Sequence, residues 1–399
     1  MEAESACRTN VRSFAAIKGF NFFIYGAIAV YTSFFPLYMK SIGVSALHTG
    51  LIMAGGPFIS IVANPFWGYM SDRWNNIKRV LLVLLSGSTA VMLTVFFGGS
   101  SSLAALFALM LAYFFFQSPL FSQSNSLILD AIENTELRFG AFRLWGSLGW
   151  ALIAAAAGPV LGSIGIGRFW AVYGILMLVS IRIAFALPQG KPRPKAEAGH
   201  GGYLRIFASK RFIAFLAIGV LISIPNGMNT AFVSIYMSDL GGHEGLIGVS
   251  AFLTSIFEIP VFLLFDRYLP KIGRALIGCL CAVSLLYAAR WLLMSSAGSA
   301  YEVAVIQMMN SVTFGGYYYI GTQLTYSLVP REYRASGQAL YALSWGGLSG
   351  IIAGIAGGWV FQHEGAVAMY RLGAVLALFG AAGFLAMFAL AKRKAVSSE

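Results

Sequence analysis

At 399 residues, with 58% hydrophobic and 11% charged side chains and a mean hydropathy of +0.75, this chain has too little polar surface for a soluble domain. Its formal net charge of +12 raises nucleic acid as a partner. Yet 22 of the 27 Lys and Arg fall in the amino terminus, alternate connections and the carboxyl tail or within the first five residues of the adjoining spans, so membrane orientation accounts for the excess without a polyanion.

An apolar helix of about 20 residues spans a ~30 Å hydrocarbon core. The pattern predicts twelve such spans, over residues 14–39, 46–70, 78–98, 101–126, 142–163, 168–188, 211–237, 244–265, 273–296, 301–328, 335–361 and 367–391. The leading MEAESACRTNVR is polar and mixed in charge, so no cleavage signal is expected and the first helix stays in the mature protein. The positive-inside bias puts both termini in the cytoplasm of a multi-pass protein of the cell (inner or plasma) membrane. The polar interval from Leu187 to Arg211 reads as a linker and divides the spans six and six. This predicts an amino-terminal bundle (1–188), a cytoplasmic linker (189–210) and a carboxyl-terminal bundle (211–399). Three cysteines and four scattered histidines give neither a disulfide framework nor a metal cluster.

Polar stripes at helical spacing run along several spans. The first has Asn21 and Tyr25; the fourth has Ser122, Gln123 and Ser126 and closes on Asp130. The fifth opens with FGAFRLWGSLGW, which places Arg143, Gly146, Ser147 and Trp150 one and two turns apart. The seventh has Ser223, Asn226 and Thr230; the tenth has Gln307 and Asn310; the eleventh has Gln338 and Tyr341. One polar residue in a span is usually a helix–helix hydrogen bond, whereas stripes on separate helices point to a common cavity. Arginine offers a rigid fork of donors and a carboxylate offers acceptors, so Arg143 and Asp130 can bracket vicinal hydroxyls. The aromatic face of Trp150 then covers the apolar side of a ring. The competing reading of Asp130 and Arg143 is a salt bridge near the membrane interface, where long side chains reach water.

Two charges lie deeper in the second half: Glu258 in the eighth span and Arg290 in the ninth. A buried carboxylate beside an arginine can load and release a proton as access alternates. Glu258 is therefore the candidate proton carrier, with Arg290 as its modulator; a structural pair or a substrate-binding Glu is the alternative. Rise per residue makes their direct contact doubtful.

GYMSDRWNNIKR, after the second span, carries Gly68, Asp72-Arg73 and Lys78-Arg79. A decayed copy, FDRYLPKIGR, follows the eighth, with Phe262 at the Gly position. The loop resembles the signature of the major facilitator superfamily. That resemblance implies an all-α membrane protein of twelve transmembrane helices in two pseudo-symmetric six-helix bundles, working by alternating access. Gly68 is expected to permit a close helix approach, and Asp72 and Arg73 to act in gating.

Within the superfamily, FGAFRLWGSLGWAL, SFFPLYMKSIG, HTGLI and AARWLLMSSAGSAYEV resemble the lactose permease and its oligosaccharide–proton symporter relatives. The resemblance implies sugar contacts for Arg143, Asp130 and Trp150. It fails in the tenth span, where the titratable His and Glu of that family fall on Asn310 and Thr313. Asp130-Ala131, Arg143-Leu144-Trp145-Gly146, Glu258 and Arg290-Trp291 also look like the related phenylpropionate transporter branch. Gly158-Pro159 resembles, in part, the Gly-Pro motif of drug–proton antiporters.

The expected function is proton-coupled symport of a small polar solute, a sugar or glycoside, by a monomer in the lipid bilayer. Import of an aromatic carboxylate or a nucleoside is the alternative, and drug efflux a further one. No cofactor beyond a coupling proton, no nucleic acid and no enzymatic activity are expected, since no nucleophile–base set or phosphate-cradling loop is present.

Overall fold

The computed structural model describes residues 2–97, 102–133, 135, 137, 139–189, 209–269, 273–330 and 333–396. Its helices are α1 (Glu2–Ser41), α2 (Ala46–Trp74), α3 (Ile77–Phe97), α4 (Leu103–Gln117), α5 (Leu120–Ile132), α6 (Phe139–Ile164) and α7 (Phe169–Ala184). The second half has α8 (Lys210–Asp239), α9 (Glu244–Ile256), α10 (Glu258–Tyr268), α11 (Gly273–Ser296), α12 (Ala300–Gln307), α13 (Asn310–Leu328), α14 (Arg334–Ala342) and α15 (Ser349–Val396). A π-turn, Leu343–Leu348, joins α14 to α15.

Ten helices among the described residues are long and apolar enough to cross a membrane. One of them, Ser336–Leu390, is 55 residues long, more than twice what one crossing needs. It breaks at Gly365, whose φ of 82° is a backbone state that glycine takes at no steric cost. The expected tenth span, α12 with α13, is not among the ten; it carries Thr313, Thr322, Gln323, Thr325 and five tyrosines. Two crossings through Ser336–Leu390 and one through α12–α13 recover the twelve spans of the sequence pattern.

Four crossings are interrupted. The fourth breaks at Ser118-Pro119, the eighth at Phe257, the tenth at Met308-Met309 and the eleventh at the π-turn. At Pro119 the cause is a missing backbone N–H. At Met308-Met309 the chain keeps its bonds by tightening: Met308 and Met309 donate to Val305 and Ile306 at 3.1 and 3.0 Å.

The chain divides into two compact units. The first holds Met1–Ile42, Phe58–Glu197 and His243–Phe252; the second holds Gly43–Pro57, Ala198–Gly242 and Leu253–Glu399. Each unit thus includes a short stretch from the opposite half of the sequence.

In the first unit α1 is buried along most of its apolar length, through Ile17, Phe20, Ile24, Ala27, Phe34 and Phe35. Gly149 of α6 makes that possible: a Cβ there would strike the backbone of Phe22, 2.6 Å from its carbonyl carbon. Lipid tails give no hydrophobic drive between helices, so small residues that admit backbone contact hold them together. The same device seats α9 on α6, where a Cβ at Gly158 would sit 2.6 Å from the Glu244 carbonyl oxygen and one at Gly248 would sit 3.2 Å from the Gly158 Cα. In the second unit α2 packs on α15 through Gly50 and Gly354, and the Leu47 N–H donates to Gln362 Oε1 at 2.9 Å.

Candidate functional site

In the first unit, the opening turns of α6 bring Arg143 across to α1. Its guanidinium lies 4.2 Å from the centre of the Tyr25 ring, and Nη1 donates to Ser147 Oγ at 3.3 Å. Gly146 leaves room for this stack, since a Cβ there would sit 3.0 Å from both Arg143 Nη1 and the Tyr25 ring. Tyr25 rests in turn on Phe121 of α5, 4.5 Å between ring centres and two residues past the Pro119 break. Arg143 remains half-buried, so part of its fork stays open.

The other predicted residues of this unit are placed as follows. Asp130 is half-buried in the last turn of α5, and the partners of Arg143 are Tyr25 and Ser147, not Asp130. Trp150 is half-buried two turns along α6, with no ring or hydrogen-bond partner among the described residues. Ser126 is half-buried on α5. Asn21 is fully buried; its Nδ2 donates to the Ile17 carbonyl at 2.9 Å and its Oδ1 accepts from Ser124 Oγ at 3.0 Å. That joins α1 to α5, the ordinary work of one amide in a membrane bundle.

The second unit contains a denser polar centre that sequence reading saw only in pieces. Arg290 of α11 is completely buried. Its Nη1 donates to Asn310 Oδ1 at 2.7 Å and to Thr313 Oγ1 at 3.2 Å, and its Nη2 donates to Gln307 Oε1. Gln307 closes α12 and Asn310 opens α13, so the guanidinium grips both sides of the interrupted tenth crossing. Gln307 also exchanges bonds with Asn229 of α8, at 3.3 and 3.4 Å, and Asn229 Oδ1 accepts from the Tyr370 hydroxyl at 3.1 Å. Trp291 lies beneath, its ring centre 4.4 Å from the guanidinium carbon and stacked between Tyr287 and Tyr370. A charge at the bilayer centre costs about 2.5–3.5 kcal/mol on insertion scales. Here three neutral acceptors and an indole face offset it.

Glu258 is half-buried at the first position of α10, where a helix amino terminus favours a carboxylate. It is not among the partners of Arg290, although Tyr287 lies within electrostatic reach of both. Asn226 is half-buried on α8, and its Oδ1 has no hydrogen-bond partner among the described residues. Asn229, Thr313 and Tyr370 were missed as members of this centre. Asn229 falls three residues beyond Asn226 and was legible as part of that stripe; Tyr370 is one tyrosine among 18, with no local signal.

One expectation is corrected. Among the described residues, no atom lies within 4 Å of where a Cβ at Gly68 would sit, so a close helix approach is not what the glycine provides. The close approaches are at Gly50, Gly149, Gly158 and Gly248 instead. Asp72 and Arg73 are exposed near the end of α2, with no hydrogen-bond or ionic partner among the described residues.

The model of the MFS_1 like family matches residues 14–372. The chain belongs to that family. An uncharacterized transporter of Bacillus subtilis, YwbF, is 26% identical over 370 residues, covering 92% of each chain. The maltose permease of Geobacillus stearothermophilus is 25% identical over 390 residues, 95% of this chain and 94% of its own. Among solved structures, a mutant of the nucleoside transporter NupG matches with a TM-score of 0.82 at 15% identity, over 94% of this chain and 99% of that one. A mutant of the peptide transporter POT in complex with sulfate matches with a TM-score of 0.72 at 15% identity, over 95% and 94%. At such identities the structures speak for the fold alone. This member of the MFS_1 like family is thus a multi-pass membrane protein and a secondary transporter of the major facilitator type, not an enzyme. Twelve helices in two pseudo-symmetric bundles are the architecture of that fold.

Proposed function

We propose that this transporter imports a small polar solute of the sugar or glycoside class, with a proton as the coupling ion. The observation that carries the reading is the Arg143 guanidinium, half-buried over Tyr25 and beside Ser147, with Trp150 unpaired two turns along the same face. A planar donor fork and a free aromatic face are what a hydroxylated ring needs from its site. The maltose permease among the relatives supports the same class, as does the sequence resemblance to the lactose permease and its relatives. Asp130 and Ser126 of α5 are proposed as further solute contacts, whereas Gln307 and Asn310 serve Arg290 within the second unit. Asn21 is proposed as a strut for α5. Glu258 is the proposed proton carrier; Asp72 and Arg73 are proposed gating residues.

A nucleoside is the second reading, because the unpaired face of Trp150 suits a base as well as a pyranose. Drug efflux loses its main support, since close packing on α9 by itself explains Gly158.

Uptake into proteoliposomes under an inward proton gradient decides between these. Labelled maltose should accumulate, uridine should not, and Arg143→Ala should abolish the maltose signal. Accumulation of uridine alone would replace the sugar reading with the nucleoside one. Glu258→Gln should stop concentrative uptake while leaving exchange between equal concentrations intact. Full accumulation in that variant rejects Glu258 as the carrier.

A further inference from the structure

The Arg290 centre has donors left over. Of the guanidinium nitrogens, Nη1 and Nη2 are occupied, but the buried Nε has no acceptor among the described residues. The indole N–H of Trp291, whose ring packs against the guanidinium, also has none. The partners of Arg290 are two amides and a hydroxyl, so none carries a negative charge. Buried charges are normally paired, and each buried polar group without a partner calls for an explanation. This one sits where the tenth crossing is interrupted. The fourth crossing is interrupted as well, and broken helices at matching places in the two halves of a transporter mark where its ligands bind.

We propose that Arg290 is a carboxylate-binding site, taking a small planar carboxylate on the Nε–Nη2 edge of its fork. That edge matches the two oxygens of a carboxylate in a bidentate pair. Nε is already vacant, and Nη2 is held only by Gln307. When Gln307 gives way its carbonyl keeps a donor, because Asn229 Nδ2 is 3.4 Å away. The approach is past Asn310, which is half-buried while Arg290, Gln307 and Thr313 are buried. The site does not depend on the sugar reading: it rests on a separate set of residues, all in the second unit. The carboxylate comes either from the transported solute itself or from a free small acid acting as counter-ion.

Thermal unfolding of the purified full-length protein in detergent tests this, with sodium benzoate, benzamide, sodium acetate and sodium chloride added separately to one buffer. A ligand that binds the native state raises its apparent stability. Benzoate near saturation should raise the midpoint by about 3 °C or more, a size set by the linkage relation and the entropy of unfolding. Benzamide, its neutral isostere, should not. An acetate effect equal to that of benzoate assigns the site to a free small acid; a clear preference for benzoate assigns it to the carboxylate of a larger solute. Arg290→Lys, which keeps the charge but loses the fork, should weaken the benzoate effect at least tenfold in apparent affinity, and Gln307→Ala should strengthen it. No benzoate effect on the wild type overturns the proposal whatever the variants do. So does an equal effect of chloride or benzamide, or a benzoate effect that survives unchanged in Arg290→Lys. If Arg290→Lys does not fold, Gln307→Ala decides, and an unaltered benzoate response there counts against the site. No sugar and no transport enter the assay, so its failure is distinct from failure of the proposed import function.

Discussion

Arg143 and Arg290 are both arginines in apolar helices, yet their surroundings assign them different work. Arg143 is half-buried against one tyrosine and one serine. Exchanging it for Lys keeps the charge but loses the planar stack and the fork. Arg143→Lys should therefore raise the KM of uptake with little loss of folded protein, as read from proteoliposome transport and size-exclusion profiles. Tyr25→Leu removes the ring face, an interaction of about 0.5–2 kcal/mol, and should act in the same direction. Asn21 belongs to a different class. Its amide joins two helices, and interhelical hydrogen bonds in membranes average about 0.6 kcal/mol. Asn21→Ala should accordingly lower the unfolding midpoint slightly without changing substrate affinity. Arg290, Glu258, Gln307 and Asn310 were all visible in the sequence as polar residues in apolar spans, because hydrocarbon penalises each one. Which of them touch was not visible. Arg290 meets Gln307 and Asn310 rather than Glu258 because contact depends on how α11 is placed against α12 and α13.

At the scale of elements, helix contacts here are made by glycines meeting backbone. Adding a side chain at such a crossing pushes the helices apart, and overpacking typically costs about 1–3 kcal/mol. Gly149→Leu should destabilise the first unit by that order, since its Cβ meets the Phe22 backbone rather than a flexible side-chain end. Gly158→Val should do the same where α6 meets α9. Gly68→Ala is the contrast: with open space around it and a helical backbone, alanine should be neutral or stabilising by about 0.5–1 kcal/mol. Unfolding midpoints of the three variants check the set, and a marked loss in Gly68→Ala would restore a packing role to that residue. The signature loop was recognisable from residue types and spacing. Composition cannot say which of 45 glycines lie at crossings, because that depends on what stands opposite each one.

For the whole molecule, the distribution of Lys and Arg predicts that both termini face the cytoplasm. Epitope tags at either end should resist protease added to intact cells and be cut after permeabilisation; cleavage of one tag from outside would refute the orientation. The sequence by itself determined the class of protein and nearly all of its crossings. A chain that is 58% hydrophobic must satisfy its backbone inside the bilayer, and helices of about 20 residues do so locally, without information from elsewhere in the chain. It also marked the expensive residues, since the cost of a charge in hydrocarbon belongs to the residue and its depth. Tertiary structure alone decided which partner each charge receives, where helices interrupt, and which donors remain unused. Those outcomes depend on residues far apart in sequence, as Tyr370 and Asn229 show, or Tyr25 and Arg143. The vacant Nε of Arg290 exists only once α11, α12 and α13 are assembled around it.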